Sequence, residues 1–406
     1  MIIRQNWIER LAASWQLAPI VWLTGVRRAG KTTLAQDIIR QSGATNVQFF
    51  NCDLPSVNKR VQDPERFLGA LEPGIVVFDE VHQLENPSQL LKIAADEFPA
   101  LKVLATGSCT LSATSKFRDS LTGRKRQVYL PPILFSELPA FSIRDLRTRL
   151  LRGGLPPALL AQQHDPSFYS EWLDSYFARD IQELFKIEKR SHFLRLLEAI
   201  LRLSGGATTT QTLATLTGLS RPTIMNYLEV LETTLTLKVV RPHFGNSVQE
   251  LVKQPKLYGF DTGFVCHTRG IDALRDEDCG ALWEHLVLDM LSANFPLQEV
   301  RYWRDKKGHE IDFVLPAANG KVHAIECKWD CDAFDARNLK HFRELYPEGE
   351  NLLIAPNAIT GLVTRHGFEL RKELEVRQCG LGDLARVLTA IAPSEILAPK
   401  LFQNAR

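Results

Sequence analysis

The chain has 406 residues, 45% of them hydrophobic and 24% charged, enough to build two or three packed domains and too apolar for a disordered chain. Its 49 Lys and Arg against 47 Asp and Glu leave a net charge of +2, which excludes a global pull toward nucleic acid and leaves that task to local patches. No Cys-x-x-Cys pair occurs among the seven cysteines, Cys327 and Cys331 have no second pair to complete a zinc site, and no apolar run approaches the roughly 18 residues of a membrane span, so reduced thiols in a cytoplasmic location away from membranes are expected.

The N-terminal Met1-Ile2-Ile3-Arg4 lacks the basic start and apolar core of a secretory signal. Pro19 to Leu23 is an apolar run of strand length, Gly25-Val26-Arg27-Arg28-Ala29-Gly30-Lys31-Thr32 is a complete P-loop, and Thr33 to Arg40 has helical spacing. Strand, glycine loop and helix in that order are what nucleotide phosphates require. Gly25 and Gly30 let the backbone N–H groups and the helix N-terminus face the phosphates, Lys31 reaches the β- and γ-phosphates, and the Thr32 hydroxyl serves Mg²⁺. The run Ile75 to Phe78 ends in Asp79-Glu80, where Asp79 is expected to hold the magnesium and Glu80 to polarise the attacking water. A third strand-like run, Leu101 to Thr106, leads into Gly107-Ser108, and Thr106 or Ser108 is the expected γ-phosphate sensor. Arg124 is the candidate arginine finger, in cis or across a subunit boundary. Together these residues predict a nucleoside triphosphate hydrolase with a helix-covered parallel sheet over the first 140 residues or so. A small-molecule kinase fits less well, because Asp79-Glu80 beside a polar strand end suits water activation.

The turn cluster Gly153 to Pro157 opens a helical section whose stripes, Trp172, Leu173, Tyr176, Phe177, Ile181 and then Phe193, Leu196, Leu197, Ile200, Leu201, read as core. From Thr210 the spacing of Ala214, Gly218 and Ile224 predicts a helix-turn-helix, with Ser220 as N-cap of a second helix over 221–231. Lys238 to Arg241 and Lys256 to Phe260 then read as two strands of a wing. Arg221, Thr223 and Asn226 are expected on the outer face, available to a nucleic-acid groove. Basic patches that could meet a polyanion are Arg124-Lys125-Arg126, the series Arg144, Arg147, Arg149, Arg152, and Arg301, Arg304, Lys306, Lys307.

Further on, Gly308 to Leu315 and Ala324 to Trp329 read as two strands. Alternation sets Glu310 with Asp312, and Glu326 with Lys328, each on one strand face. Carboxylates from two adjacent strands bind Mg²⁺ or Mn²⁺ through oxygen, and a neighbouring lysine orients or deprotonates the attacking water. Asp312, Glu326 and Lys328 are therefore the expected core of a second site of the restriction-endonuclease-like kind. Glu284, on a helix over 280–288, assists as a further metal carboxylate.

In this order the motifs Gly25 to Thr33, Val77-Phe78-Asp79-Glu80-Val81-His82, Ala105 to Ser108, Ser120 to Arg124, Gly153 to Pro156, Pro255 to Gly263, Trp283-Glu284, Tyr302 to Arg304, Glu310 to Phe313 and Ile325 to Lys328 are found together. The chain resembles the bacterial and archaeal AAA-type P-loop ATP-binding proteins that carry a C-terminal domain of unknown function, with a winged helix and a restriction-endonuclease-like fold. The resemblance implies ATP over GTP, with Mg²⁺. It implies a P-loop AAA-type ATPase domain over 1–145, a helical linker region over 146–205, a winged-helix domain over 206–268 and a restriction-endonuclease-like α/β domain over 269–406. The expected function is an ATP hydrolase whose nucleotide cycle controls a nucleic-acid-binding, metal-dependent nuclease module, acting on DNA rather than RNA, with a homo-oligomer if Arg124 works in trans. The alternative is an ATP-dependent switch that recruits a protein partner, with a catalytically silent nuclease-like fold.

Overall fold

The computed structural model describes residues 2–41, 46–107, 121–244, 254–295, 299–317, 319–358, 361–365 and 374–391. Five parallel strands form the first sheet: β1 (Ile20–Thr24), β2 (Val47–Asn51), β3 (Gly74–Asp79), β4 (Leu101–Gly107) and β5 (Lys125–Tyr129), in the order β2-β3-β4-β1-β5. A parallel sheet is covered on both faces, so its inner strands read as unbroken apolar runs. Here Ile20, Trp22, Val76, Phe78, Val103 and Ala105 pack on one face against Leu90, Leu91 and Ala94 of helix Pro87–Glu97. Val21, Leu23, Val77 and Leu104 pack on the other with Leu34 and Ile38 of helix Lys31–Gln41 and with Trp7 and Leu11 of helix Gln5–Ser14. β4 lies between β1 and β3, so the P-loop strand and the Asp79 strand have the end of β4 between them.

A buried pair fastens the N-terminus to the segment after β5: Arg4 donates to Glu137 through two hydrogen bonds of 2.7 and 2.6 Å. The helical section follows as Leu146–Arg152 and as a continuous stretch from Ser167 to Phe185 that takes π-helical geometry over Phe177–Gln182. The predicted stripe residues Phe193, Leu196, Leu197, Ile200 and Leu201 are all buried on helix Arg190–Arg202. Helices Thr210–Thr217 and Arg221–Thr233 form the helix-turn-helix. Gly218 turns the chain at φ 69°, and the Ser220 hydroxyl accepts from Thr223 N at 3.4 Å.

The second sheet has eight strands: β6 (Leu237–Pro242), β7 (Lys256–Gly259), β8 (Arg301–Arg304), β9 (Glu310–Pro316), β10 (Val322–Cys327), β11 (Asn351–Ile354), β12 (Gly361–Arg365) and β13 (Leu374–Cys379). Their order is β12-β13-β11-β10-β9-β8-β6-β7. β6 pairs antiparallel with β7 and also parallel with β8, so one sheet holds strands from both sides of residue 268. Helix Asp276–Asn294 is almost wholly buried and links the two halves. Its Asp289 accepts from Lys238 of β6 and from Arg149 at 3.1 Å, while Arg149 also donates to Ile133 O and Thr262 Oγ1.

This bonding ties up three of the four arginines of one predicted polyanion patch. Arg149 is fully buried, Arg147 donates to Asp276 and Leu274 O, and Arg152 donates to Ala161 O at 2.6 Å. These three lie on helix Leu146–Arg152, whereas Arg144 precedes it and is exposed. No helix among the described residues is long and apolar enough to cross a membrane.

Candidate functional site

The P-loop joins β1 to helix Lys31–Gln41. A Cβ at Gly25 would stand 2.5 Å from Leu130 O, and Gly30 has φ 97°, so both positions require glycine. Lys31 is buried with its Nζ 2.8 Å from Gly25 O and 3.2 Å from Val26 O, folded over the loop's own carbonyls. Thr32 Oγ1 donates to Asp79 Oδ2 at 2.9 Å. Thr106, at the end of β4, donates to Asp79 Oδ1 at 2.6 Å and accepts from Glu80 N at 3.0 Å. Glu80 sits at φ 53° with its Oε2 3.3 Å from His82 Nδ1. A hydroxyl and a carboxylate in direct contact at a helix start fit a magnesium ion, which would be held by Thr32 and Asp79. Ser108, the other sensor candidate, lies outside the described residues; Thr106 is in contact with the Asp79 carboxylate and the Glu80 backbone N–H.

The remaining loop residues face the helical section. Arg27 Nη1 lies 3.3 Å from Asp180 Oδ2, Trp172 Nε1 donates to Arg27 O at 3.0 Å, and Arg28 lies over the Phe168 ring. Trp172 stacks on Tyr176, whose hydroxyl bonds to Thr234 Oγ1 at 2.6 Å and Thr236 Oγ1 at 2.9 Å, just ahead of β6. Val26, Ala29 and Thr33 complete the predicted loop. Val26 and Ala29 are buried and belong to the core under it.

Arg124 is placed elsewhere. Its carbonyl accepts from Ile20 N at 3.2 Å, so it stands at the start of β1, whereas the P-loop follows the end of that strand, about 16 Å away by strand rise. Its guanidinium makes two bonds to Asp96, of 2.5 and 3.0 Å, and these raise its pKa. A finger role in cis does not fit this position, since the residue lies at the far end of β1 from the P-loop. Lys125 and Arg126, read as part of a basic patch with Arg124, form the start of edge strand β5.

The second candidate site lies where β7, β9, β10 and helix Asp276–Asn294 meet. Asp312 Oδ2 accepts from Cys327 N at 2.8 Å and lies 3.6 Å from Lys328 Nζ, which donates to Glu326 Oε2 at 2.8 Å. Glu326 Oε1 is buried, and no hydrogen-bond donor among the described residues reaches it. Burial pushes the Glu326 carboxyl up to about 8, with the Asp312 charge adding in the same direction. Burial works against the Lys328 charge, but Asp312 and Glu326 outweigh it and hold Lys328 above the ordinary lysine range, as an ammonium. An orphaned buried carboxylate oxygen beside Asp312 fits a divalent cation.

Glu284 does not join that pair as a third ligand. Among the described residues the trio whose ligand atoms all lie within 4.8 Å of one another is Asp330, Cys331 and Asp332, not Asp312, Glu326 and Glu284. Glu284 Oε1 instead accepts from Lys256 Nζ at 3.1 Å and from the Tyr258 hydroxyl. Burial and then the Asp312 charge push Glu284 up to about 7. Lys256 and Tyr258 were missed by sequence reading as site residues, although two residues apart on one strand they share a face. Asp261 and Gly153-Gly154, in motifs named above, are structural. Asp261 Oδ2 accepts from Gly154 N at 2.6 Å and Oδ1 from Gly263 N at 2.9 Å.

Comparison with known proteins agrees with the first sheet and its loop. Residues 18–139 match the family model described as an AAA domain, and residues 279–365 match a domain of unknown function, DUF4143. The chain carries a P-loop AAA domain at its N-terminal side and a DUF4143 domain at its C-terminal side. Between the two, residues 143–275 match another domain of unknown function, DUF8612, which contributes Lys256 and Tyr258 to the acidic site of the DUF4143 domain. Uncharacterised proteins of Mycobacterium tuberculosis and Mycobacterium bovis are 29% identical over 343 residues, 81% of this chain and 74% of theirs. One from Haemophilus influenzae is 23% identical over 377 residues, 85% of this chain and 92% of its own. Among solved structures, a Walker-type ATPase of Pyrococcus abyssi aligns at 16% identity and TM-score 0.43, covering 66% of this chain and 96% of its own.

Proposed function

We propose that this protein hydrolyses ATP with Mg²⁺ and uses the nucleotide cycle to control its C-terminal module, which binds nucleic acid, DNA before RNA, and cleaves it with a divalent cation. The observation that supports the coupling best is the contact of Arg27, inside the P-loop, with Asp180 and Trp172, on the helical stretch that reaches Thr234 and Thr236 ahead of β6.

At the first site, Gly25 to Thr33 cradle the phosphates, and Lys31 exchanges its two loop carbonyls for phosphate oxygens. Thr32 and Asp79 hold Mg²⁺, which when bound neutralises charge on the phosphates. Glu80 takes the proton of the attacking water, and His82 and Thr106 fix where its side chain and backbone stand. At the second site Asp312 and Glu326 hold the cation, and the Lys328 ammonium orients the incoming water.

The test is the ATP hydrolysis rate of the wild-type chain and of Lys31→Ala, each with and without DNA. Turnover that vanishes in the variant and rises with DNA in the wild type is expected. Turnover indifferent to DNA would favour the second reading, a switch that recruits a protein partner to a silent nuclease-like fold. That reading draws on the helix-turn-helix, where Leu216 and Met225 are each 57% exposed and Thr223, expected to face a groove, bonds to Ser220 Oγ at 2.8 Å.

A further inference from the structure

Four carboxylates and two lysines meet at the C-terminal site, and the lysines divide the carboxylates unequally. Lys256 Nζ lies 2.5 Å from Glu310 Oε1 and 3.1 Å from Glu284 Oε1, with its side chain 4% exposed. Tyr258 donates to the same Glu284 oxygen, and Arg304 Nε stands 3.7 Å from Glu310 Oε2. This half is satisfied by groups of the chain itself. On the other half Lys328 reaches Glu326 Oε2 and Asp312 Oδ2, but the buried Glu326 Oε1 has no donor among the described residues.

We infer that Lys256 is a built-in cation: it holds the position between Glu284 and Glu310 that a second divalent ion would otherwise take, so the C-terminal module loads a single divalent ion, on Asp312 and Glu326. An ammonium is a compact point charge with three donors, and two carboxylate oxygens at these distances satisfy it by hydrogen bonding. A hard divalent ion needs several oxygen ligands, and Glu284 and Glu310 each commit one oxygen to Lys256, whose positive charge stands between them and repels a second cation. The lysine arrives from β7, outside the segment that supplies every carboxylate of the site, so the strand following the helix-turn-helix sets how many ions the acidic cluster accepts. The inference rests on the reading of Asp312 and Glu326 as a metal site.

The experiment counts bound Mn²⁺ from the electron paramagnetic resonance signal of the free ion. It uses the nucleotide-free full chain carrying Asp79→Asn, which removes the carboxylate ligand of the P-loop site. One ion is expected with Lys256 in place and two with Lys256→Met. Glu284→Gln should leave the affinity of the single ion unchanged, whereas Asp312→Asn should weaken it by about ten-fold or more. Two ions with Lys256 present, or one ion in both chains, would overturn the inference and leave the metal reading standing. Absence of Mn²⁺ binding in every variant would overturn the metal reading and the inference with it. If circular dichroism shows that Lys256→Met does not fold, Glu284→Gln decides: an affinity loss as large as that of Asp312→Asn makes Glu284 a ligand and overturns the inference.

Discussion

The Thr106 hydroxyl donates to Asp79 at 2.6 Å and accepts from the backbone N–H of Glu80 at 3.0 Å, so one side chain at the end of β4 positions both acidic residues of the ATP site. Thr106→Val keeps the shape but removes both bonds. It should lower ATP turnover by about 10- to 100-fold, the usual effect of losing an outer partner of a metal ligand. Thr106→Ser should retain most of the rate. Steady-state phosphate release measures both, and an undiminished rate in the valine variant would remove Thr106 from the mechanism.

Glu80 stands next to Asp79 but turns toward His82, and the two acids have separable tasks. Glu80→Gln should still bind ATP while its turnover drops by roughly 10²- to 10⁴-fold, the range attributed to a positioned base. Asp79→Asn should weaken magnesium-dependent nucleotide binding itself. Fluorescent-nucleotide titration beside turnover separates the outcomes, and equal loss of binding in both variants would contradict the division.

Asp289 joins the two sheets, because it faces Arg149 from the segment after β5 and Lys238 from β6 while itself buried. Asp289→Ala leaves two buried cations without their carboxylate and should destabilise the chain by about 3–5 kcal/mol in urea unfolding. A loss below about 1 kcal/mol, the value of an exposed ion pair, would mean that the cluster is solvated in solution.

Stability should also depend on pH through the second site. Glu284 and Glu326 are pushed up to about 7 and about 8 by burial, with Asp312 adding to the shift. A carboxyl raised in the folded state keeps a proton that the unfolded chain has already released, so its contribution is present at low pH and lost as pH rises through the folded value. Lys256 and Lys328 are held above the ordinary lysine range and keep their charge throughout this window. In EDTA the melting temperature should therefore fall as pH rises from about 5 to about 8, and Glu326→Gln should flatten the fall. A melting temperature that rises across that interval would contradict the assigned burial.

The P-loop and Asp79-Glu80 were legible because phosphate chemistry needs its residues close together in sequence, and β1, β3 and β4 because burial on both faces makes them continuous apolar runs. β5 was not legible. It is an edge strand that begins Lys125-Arg126 with both side chains outside the core, so its charges read as a surface patch and not as a strand. Arg124 was misread for a related reason: composition cannot tell which end of a parallel sheet a residue occupies, and the register with Ile20 decides it. Arg149 looked like surface charge because its partners, Thr262 and Asp289, lie more than a hundred residues away. The Asp312, Glu326 and Lys328 grouping followed from strand alternation alone, but Lys256 and Tyr258 reach Glu284 only through the pairing of β6 with β8, which no local pattern announces.

The most direct test of the central claim is cleavage of labelled single- and double-stranded DNA with Mg²⁺ or Mn²⁺, with and without ATP, by the wild-type chain, Lys31→Ala and Asp312→Ala. The account predicts cutting that disappears in Asp312→Ala and loses its response to ATP in Lys31→Ala. Cutting that persists in Asp312→Ala, or no cutting under any condition by a chain that still hydrolyses ATP, would contradict it.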